Sequence, residues 1–152
     1  MIIEYAEQND IPSLAKLAQK WASGMGYKVE CDAIEKDLAR IWQDGIIAFV
    51  QENDEIIGMM NGVMTYHFWI DEWIAHEHWF FVRPDYQGKG IGKLLERAFE
   101  MWAKVRKCKS IILSPNRFGT MDPEKAAEGF KKYGYHLHGV LMRKEIQENV
   151  HF

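Results

Sequence analysis

Val82-Arg-Pro-Asp-Tyr-Gln-Gly-Lys-Gly-Ile-Gly-Lys-Leu-Leu95 decides the architecture of this chain. Before it, His76 to Val82 is apolar and aromatic and stops at Arg83-Pro84, which reads as a β-strand. After it, Ile91, Leu94, Leu95, Ala98, Phe99 and Trp102 recur at i, i+3, i+4, i+7, i+8 and i+11. That spacing is one buried face of a helix, and it leaves Lys93, Glu96, Arg97 and Glu100 for solvent. Between strand and helix, Gln87-Gly-Lys-Gly-Ile-Gly92 has a glycine at every second position. Backbone without side chains turns tightly and brings its N–H groups close to a ligand. The helix that follows adds unpaired N–H groups and the positive end of its dipole, so the loop suits an anion such as a pyrophosphate.

Several phosphate binders share a strand, a glycine-rich loop and a helix, so the spacing decides among them. A Walker A loop needs Gly at 87 and Ser or Thr at 94, where this chain has Gln87 and Leu94. A dinucleotide fingerprint starting at Gly88 needs Gly at 93, where Lys93 stands. Both are excluded. What remains is Q-x-x-G-x-G, from Gln87 to Gly92, after a strand ending V-x-P-D-Y. This resembles the acetyl-CoA loop of the GNAT superfamily of N-acyltransferases. The resemblance implies that Gln87, Gly88, Lys89, Gly90, Ile91, Gly92 and Lys93 hold the pyrophosphate. It also implies main-chain contacts at Phe81 or Val82.

The rest of the chain fits one domain. Its 152 residues can bury a self-sufficient core, and 47% hydrophobic with 27% charged residues is ordinary for a soluble globular protein. No apolar run reaches 18 residues, and Met-Ile-Ile-Glu-Tyr5 lacks a basic leader region, so neither a membrane span nor a signal peptide is expected. Cys31 and Cys108 have no metal-type spacing and read as free thiols of a cytoplasmic protein, with no metal site. The net charge of −3 is uneven. Arg83 to Lys109 holds eight basic and three acidic residues, +5, which leaves −8 for the remainder. A basic segment at the loop suits a polyanionic cofactor, and an acidic remainder suits a cationic second substrate. Nucleic-acid binding is not expected, because no basic stripe extends beyond this segment.

In chain order, Ile2 to Tyr5 is a first strand, and Asp10 with Pro12 opens a helix through Leu14, Leu17 and Trp21. A second helix from about Asp32 carries Ile34, Leu38 and Ile41. Ile46 to Gln51 and Ile56 to Tyr66 are strands around a Glu52-Asn-Asp-Glu55 turn. Met59, Met60 and Met64 read as core filling. The dense aromatic stretch from Tyr66 to Phe81 is part core and part an exposed patch for a substrate or a dimer contact. Ser110 to Ser114 is a further strand, Asp122-Pro-Glu-Lys caps a last helix, and Val140 to Ile146 closes the sheet. This order is similar to that of a GNAT domain over residues 1–147, with 148–152 as a tail. The expected fold is α+β: a mixed, mostly antiparallel sheet of six to seven strands flanked by four helices.

The expected chemistry is acetyl transfer from acetyl-CoA to a primary amine, on a small molecule or a peptide. An amine of pKa ~10.4 is neutral only about one part in 10³ at pH 7, a handicap of roughly 4–5 kcal/mol, so a general base is needed. His76-Glu77-His78 precedes the loop, with the two histidines on one strand face and Glu77 on the other. H-x-H at this distance resembles arylalkylamine N-acetyltransferases, which implies that His78 with His76 takes the amine proton. In most other GNAT enzymes a glutamate on this strand does so, and Glu77 is the matching candidate. The tyrosine that often protonates the leaving thiolate corresponds to Phe130, so either Tyr133 reaches in from another angle or the thiolate leaves with help from solvent. The family's helix-starting asparagine is replaced by Pro123, and Asn116 falls seven residues earlier. A chain that keeps the loop but lacks the acid also admits a second reading, a non-catalytic acyl-CoA-binding module.

Overall fold

Residues Gly45–Glu52 (β2) and Glu55–His67 (β3) are near-continuous apolar runs because both faces of their sheet are covered. They join through Asn53 and Asp54, whose φ angles of 51° and 62° are those of a tight hairpin turn. The computed structural model describes residues 1–114, 122–139, 142 and 144–146. Besides β2 and β3, these form β1 (Ile2–Tyr5), α1 (Ile11–Gly24), α2 (Cys31–Asp44), β4 (Glu72–Val82), α3 (Ile91–Val105), β5 (Ser110–Ile112) and α4 (Pro123–Lys131). The sheet order is β1-β2-β3-β4-β5, antiparallel throughout except for the parallel pair β4 and β5.

Alternation along the strands sends side chains to two cores. On one side, Leu14 and Trp21 of α1 with Leu38 and Ile41 of α2 cover Ile47, Phe49, Met59 and Phe81. On the other, Ile91, Leu95 and Phe99 of α3 cover Ile46, Val50, Ile57 and Met60. Each fully buried chain of this size contributes roughly 1.5–3 kcal/mol. Gly62 of β3 is required by this packing. A Cβ there would lie 2.8 Å from the Phe99 ring and 2.2 Å from the His76 carbonyl oxygen.

The mixed, mostly antiparallel sheet and the four α-helices agree with the sequence. The strand count differs: five form among the described residues. Of the expected closing strand, Val140, Leu141 and Arg143 lie outside the described residues, and Met142 and Lys144 to Ile146 are not strand. Among the described residues near it, Leu137, Met142 and Ile146 are each at least 80% exposed. The loop 115–121, with Asn116, and the tail 148–152 also lie outside the described residues. Asp122 caps α4 as expected, accepting from the Glu124 N–H at 2.9 Å. Asp10 also stands at the N-cap of α1 with Pro12 in the first turn, but its carboxylate caps no α1 N–H and accepts from the Glu7 N–H at 2.8 Å.

One further residue departs from its expected environment. Glu96 is 3% exposed rather than solvated, and the Tyr135 hydroxyl donates to its Oε1 at 2.8 Å. Burial raises the Glu96 carboxyl above its usual range, and the tyrosine only partly offsets this. Tyr135→Phe removes that donor and leaves a buried acceptor unpaired. It should lower the unfolding free energy by about 1–3 kcal/mol in urea titration, with α3 and the sheet retained.

Candidate active site

The parallel pairing of β4 with β5 lasts three residues, Ile74 with Ser110, Ala75 with Ile111 and His76 with Ile112, and then stops. Beyond it the two chain segments part, with Glu77, Phe80 and Val82 on one side and Leu113 and Ser114 on the other. Between them lies a cavity of about 410 Å³. One end is the glycine-rich loop, through Gln87, Gly88, Gly90, Gly92 and Lys93; the lid is α4 and the turn after it, through Ala126, Gly129, Phe130 and Tyr133.

Local chemistry fixes the loop. Arg83 donates to both Asp85 oxygens at 2.7 Å and to Glu55 at 2.7 Å, which braces the turn leaving β4. The Gln87 side chain donates to the Val82 carbonyl at 3.1 Å and ties the loop back to the strand. Gly88 and Gly90 have φ of 78° and 84°, a left-handed conformation that disfavours any side chain. A Cβ at either would meet nothing within 4 Å, so the space above the loop is open. Gly90 caps α3, whose first N–H groups have no partner within the helix. Open space, N–H donors, a helix N-terminus and the cations Lys93 and Lys125 fit a pyrophosphate with a slender apolar arm running down the cavity.

At the other end is Glu77. Its side chain is largely buried, and its Oε2 accepts from the Ser114 N–H at 3.2 Å across the parted strands. Burial pushes its carboxyl up to about 7 from 4.5, against the opposing effect of that hydrogen bond. Such a group is half ionised at neutral pH and can exchange a proton.

The histidines lie elsewhere. In the β3–β4 register Asn61 faces Trp79 and Gly62 faces Glu77, so His78 is an extra, bulged residue. The bulge breaks the simple alternation that would put His76 and His78 together. Trp79 and Phe81 turn toward α1, where Phe81 stacks on Trp21 at 4.0 Å, while Phe80 and Val82 turn into the cavity. His78 is exposed. His76 lies 3.2 Å from His67, nitrogen to nitrogen, and burial together with its histidine neighbours lowers its pKa.

Of the site residues expected from sequence, the cavity therefore gathers Glu77, Val82, Gln87, Gly88, Gly90, Gly92, Lys93 and Tyr133. Lys89 packs over the Tyr86 ring at 4.7 Å, and Ile91 is buried beneath the loop. Phe81, His76 and His78 do not line it. Phe130, the position that corresponds to the family's tyrosine, lines the cavity, and Ala126 and Gly129 of α4 join it as a wall that the sequence reading does not include. Their spacing with Tyr133, i, i+3, i+4 and i+7, is the signal that identifies one. Among the described residues no three His, Cys, Asp or Glu side chains gather to hold a metal, and no helix is long and apolar enough to cross a membrane.

A strand that parts from its parallel neighbour, a glycine-rich anion loop at its end and a carboxyl inside the gap make one continuous site. The model of the GNAT acetyltransferase family matches residues 11–135, and the chain belongs to that family of enzymes. Solved structures agree on the fold. A Trypanosoma brucei acetyltransferase is 18% identical, with 95% of this chain and 99% of that one covered and a TM-score of 0.72. An aminoglycoside acetyltransferase from an uncultured soil metagenomic sample, in complex with sisomicin, is 14% identical over 96% of both chains, with a TM-score of 0.75. Glucosamine-6-phosphate N-acetyltransferase from Arabidopsis thaliana is 15% identical over 96% of this chain and 98% of that one, with a TM-score of 0.73. No curated protein matches by sequence.

Gly90→Asp tests the loop. The carboxylate would occupy the open anion space, and the left-handed φ would be strained by roughly 1–2 kcal/mol. Acetyl-CoA should cease to raise the melting temperature of a variant that still folds. Full stabilisation by acetyl-CoA would show that the loop is not its site.

Proposed function

We propose that this chain transfers the acetyl group of acetyl-CoA directly to a primary amine, with Glu77 as the general base. The observation that carries the reading is the continuous cavity from the glycine-rich loop to Glu77, in the gap where β4 and β5 part. The backbone of Gln87 to Lys93 would hold the pyrophosphate, and the Val82 main chain would flank the pantetheine arm. Both belong to the CoA half of the site.

Glu77 serves the amine. A base is most effective when its pKa lies near the working pH, and a carboxyl near 7 meets that condition where one near 4.5 does not. Ionised, it would take the ammonium proton or the proton lost as the C–N bond forms. The Ser114 N–H keeps it oriented into the gap. The thiolate leaves with a proton from Tyr133 or from solvent, since a thiol of pKa ~8.5 is a tolerable leaving group. The acidic remainder of the chain favours a cationic acceptor, small or peptidic. Two free cysteines are consistent with action in the cytoplasm.

Glu77→Gln should lower kcat/KM by roughly 10²–10⁴ with little change in acetyl-CoA affinity. The base works ionised, so wild-type kcat/KM should fall as pH drops below about 7, and the variant should lose that limb. The same shift has the opposite sense for stability. The folded chain binds this proton more tightly than the unfolded one, so the group's contribution is present below 4.5 and is lost as pH rises to about 7. His78→Gln should leave the rate near wild type. If His78→Gln instead abolishes the acid limb while Glu77→Gln retains it, the base is a histidine. Acetyl-CoA binding without turnover on any amine would mark a non-catalytic module.

Phe130 packs 5.6 Å from Phe80 and 5.7 Å from Tyr135 while lining the cavity. Phe130→Tyr should therefore keep or raise kcat by offering the thiolate a hydroxyl. A large loss of kcat in a stable variant would mean that the added oxygen blocks the arm instead.

A further inference from the structure

One glycine of the cavity wall has no backbone reason to be there. Gly129 lies inside α4, where glycine is less favourable than alanine because it loses more conformational freedom on folding. Its φ is not left-handed, and the turn that follows the helix is made by Gly134, with φ of 93°. Close packing does not demand it either. A Cβ at Gly62 would collide with backbone and ring, whereas one at Gly129 would meet nothing within 4 Å among the described residues. Gly129 lines the cavity beside Phe130, so its missing side chain widens the cavity.

That added width is apolar. Across from α4, Phe80, Val82 and Leu113 pack against the α3 core and form a fixed wall. Phe130, next to Gly129, stands 5.6 Å from Phe80. Along β4, Phe80 lies between Glu77 and Val82, so the widening is in the middle of the cavity, between the carboxyl and the glycine-rich loop. A pyrophosphate belongs at the loop, and a slender pantetheine arm needs no extra width. An ammonium group would lose its hydration against Val82 and Leu113. What the space suits is an apolar group carried on the sulfur.

We propose that Gly129 opens this cavity to donors larger than acetyl-CoA, namely the CoA thioesters of short straight-chain acids such as propionyl-CoA and butyryl-CoA. The inference rests on the transfer reaction proposed above, and the bonds exchanged are the same. The amine nitrogen bonds to the acyl carbon and the carbon–sulfur bond breaks. The amine's proton passes to Glu77, and CoA leaves as a thiolate that takes up a proton. Each methylene moved from water into the apolar space should tighten binding by about fourfold.

Acetyl-CoA and butyryl-CoA compared in two measurements test this. Isothermal titration without an amine reads binding alone. The wild type should hold butyryl-CoA roughly tenfold more tightly than acetyl-CoA, and Gly129→Leu should reverse that order. Steady-state kinetics with one amine reads transfer. Butyryl-CoA should reach a kcat/KM within about tenfold of acetyl-CoA in the wild type, and Gly129→Leu should lower the butyryl-to-acetyl ratio by at least about tenfold. A merely structural glycine would lower both donors alike and leave the ratio unchanged. Gly129→Ala should melt at a higher temperature and move the ratio in the same direction, and it replaces the leucine variant if that one does not fold. A wild type that binds butyryl-CoA more weakly than acetyl-CoA, or transfers butyryl more than about tenfold less well, overturns the proposal. So does a ratio indifferent to both substitutions. Butyryl-CoA bound tightly in a Gly129-dependent way, with no turnover of either thioester on any amine, upholds the widened cavity and sinks the transfer reading instead.

Discussion

The site depends on β4 and β5 parting after three paired residues. Strand β4 is held along its whole length by β3 on one side, so it is a rigid wall. On the other side its pairing ends at His76, and among the described residues the backbone edge from Glu77 to Val82 has no strand beside it, with Glu77, Phe80 and Val82 lining the gap. A fully paired sheet would have no space there, and the glycine-rich loop would border only solvent. The parting turns a surface anion loop into the mouth of a cavity.

The gap also explains why a carboxyl behaves unlike an ordinary one. Glu77 lines a cavity whose other walls, Phe80, Val82, Leu113 and Phe130 among them, are largely apolar and offer a charge little solvation. A rise from 4.5 to about 7 corresponds to about 3 kcal/mol between its two protonation states. One hydrogen bond from Ser114 limits that rise, and it comes from the far side of the gap. The same parting of strands thus makes the room and supplies the donor.

Helix α3 links core and site. Ile91, the first residue of the helix, is 1% exposed and packs with Leu95 and Phe99 against the sheet. The N–H groups of that first turn therefore cannot drift from the cavity without unpacking the core. Arg83 and Gln87 secure the other end of the loop to β3 and β4. A loop built from flexible glycines is rigid here because both of its ends are anchored.

The strand, loop and helix around Gln87 to Gly92 were legible in the sequence because their signals are local. Periodicity, glycine spacing and a terminating Arg83-Pro84 all act within a few residues, and so did the hairpin at Asn53-Asp54 and the cap at Asp122. Tertiary structure alone decided what reaches the cavity. The bulge at His78 depends on register with Asn61 and Gly62, and one inserted residue redirects every side chain after it. Sequence alternation assigned Glu77 and the histidines to opposite faces, but it could not say which face opens onto the gap. Glu96 read as a solvated helix residue because its partner, Tyr135, is 39 positions away. Periodicity describes what one segment presents, whereas burial, hydrogen bonding and pKa depend on what another segment brings to it.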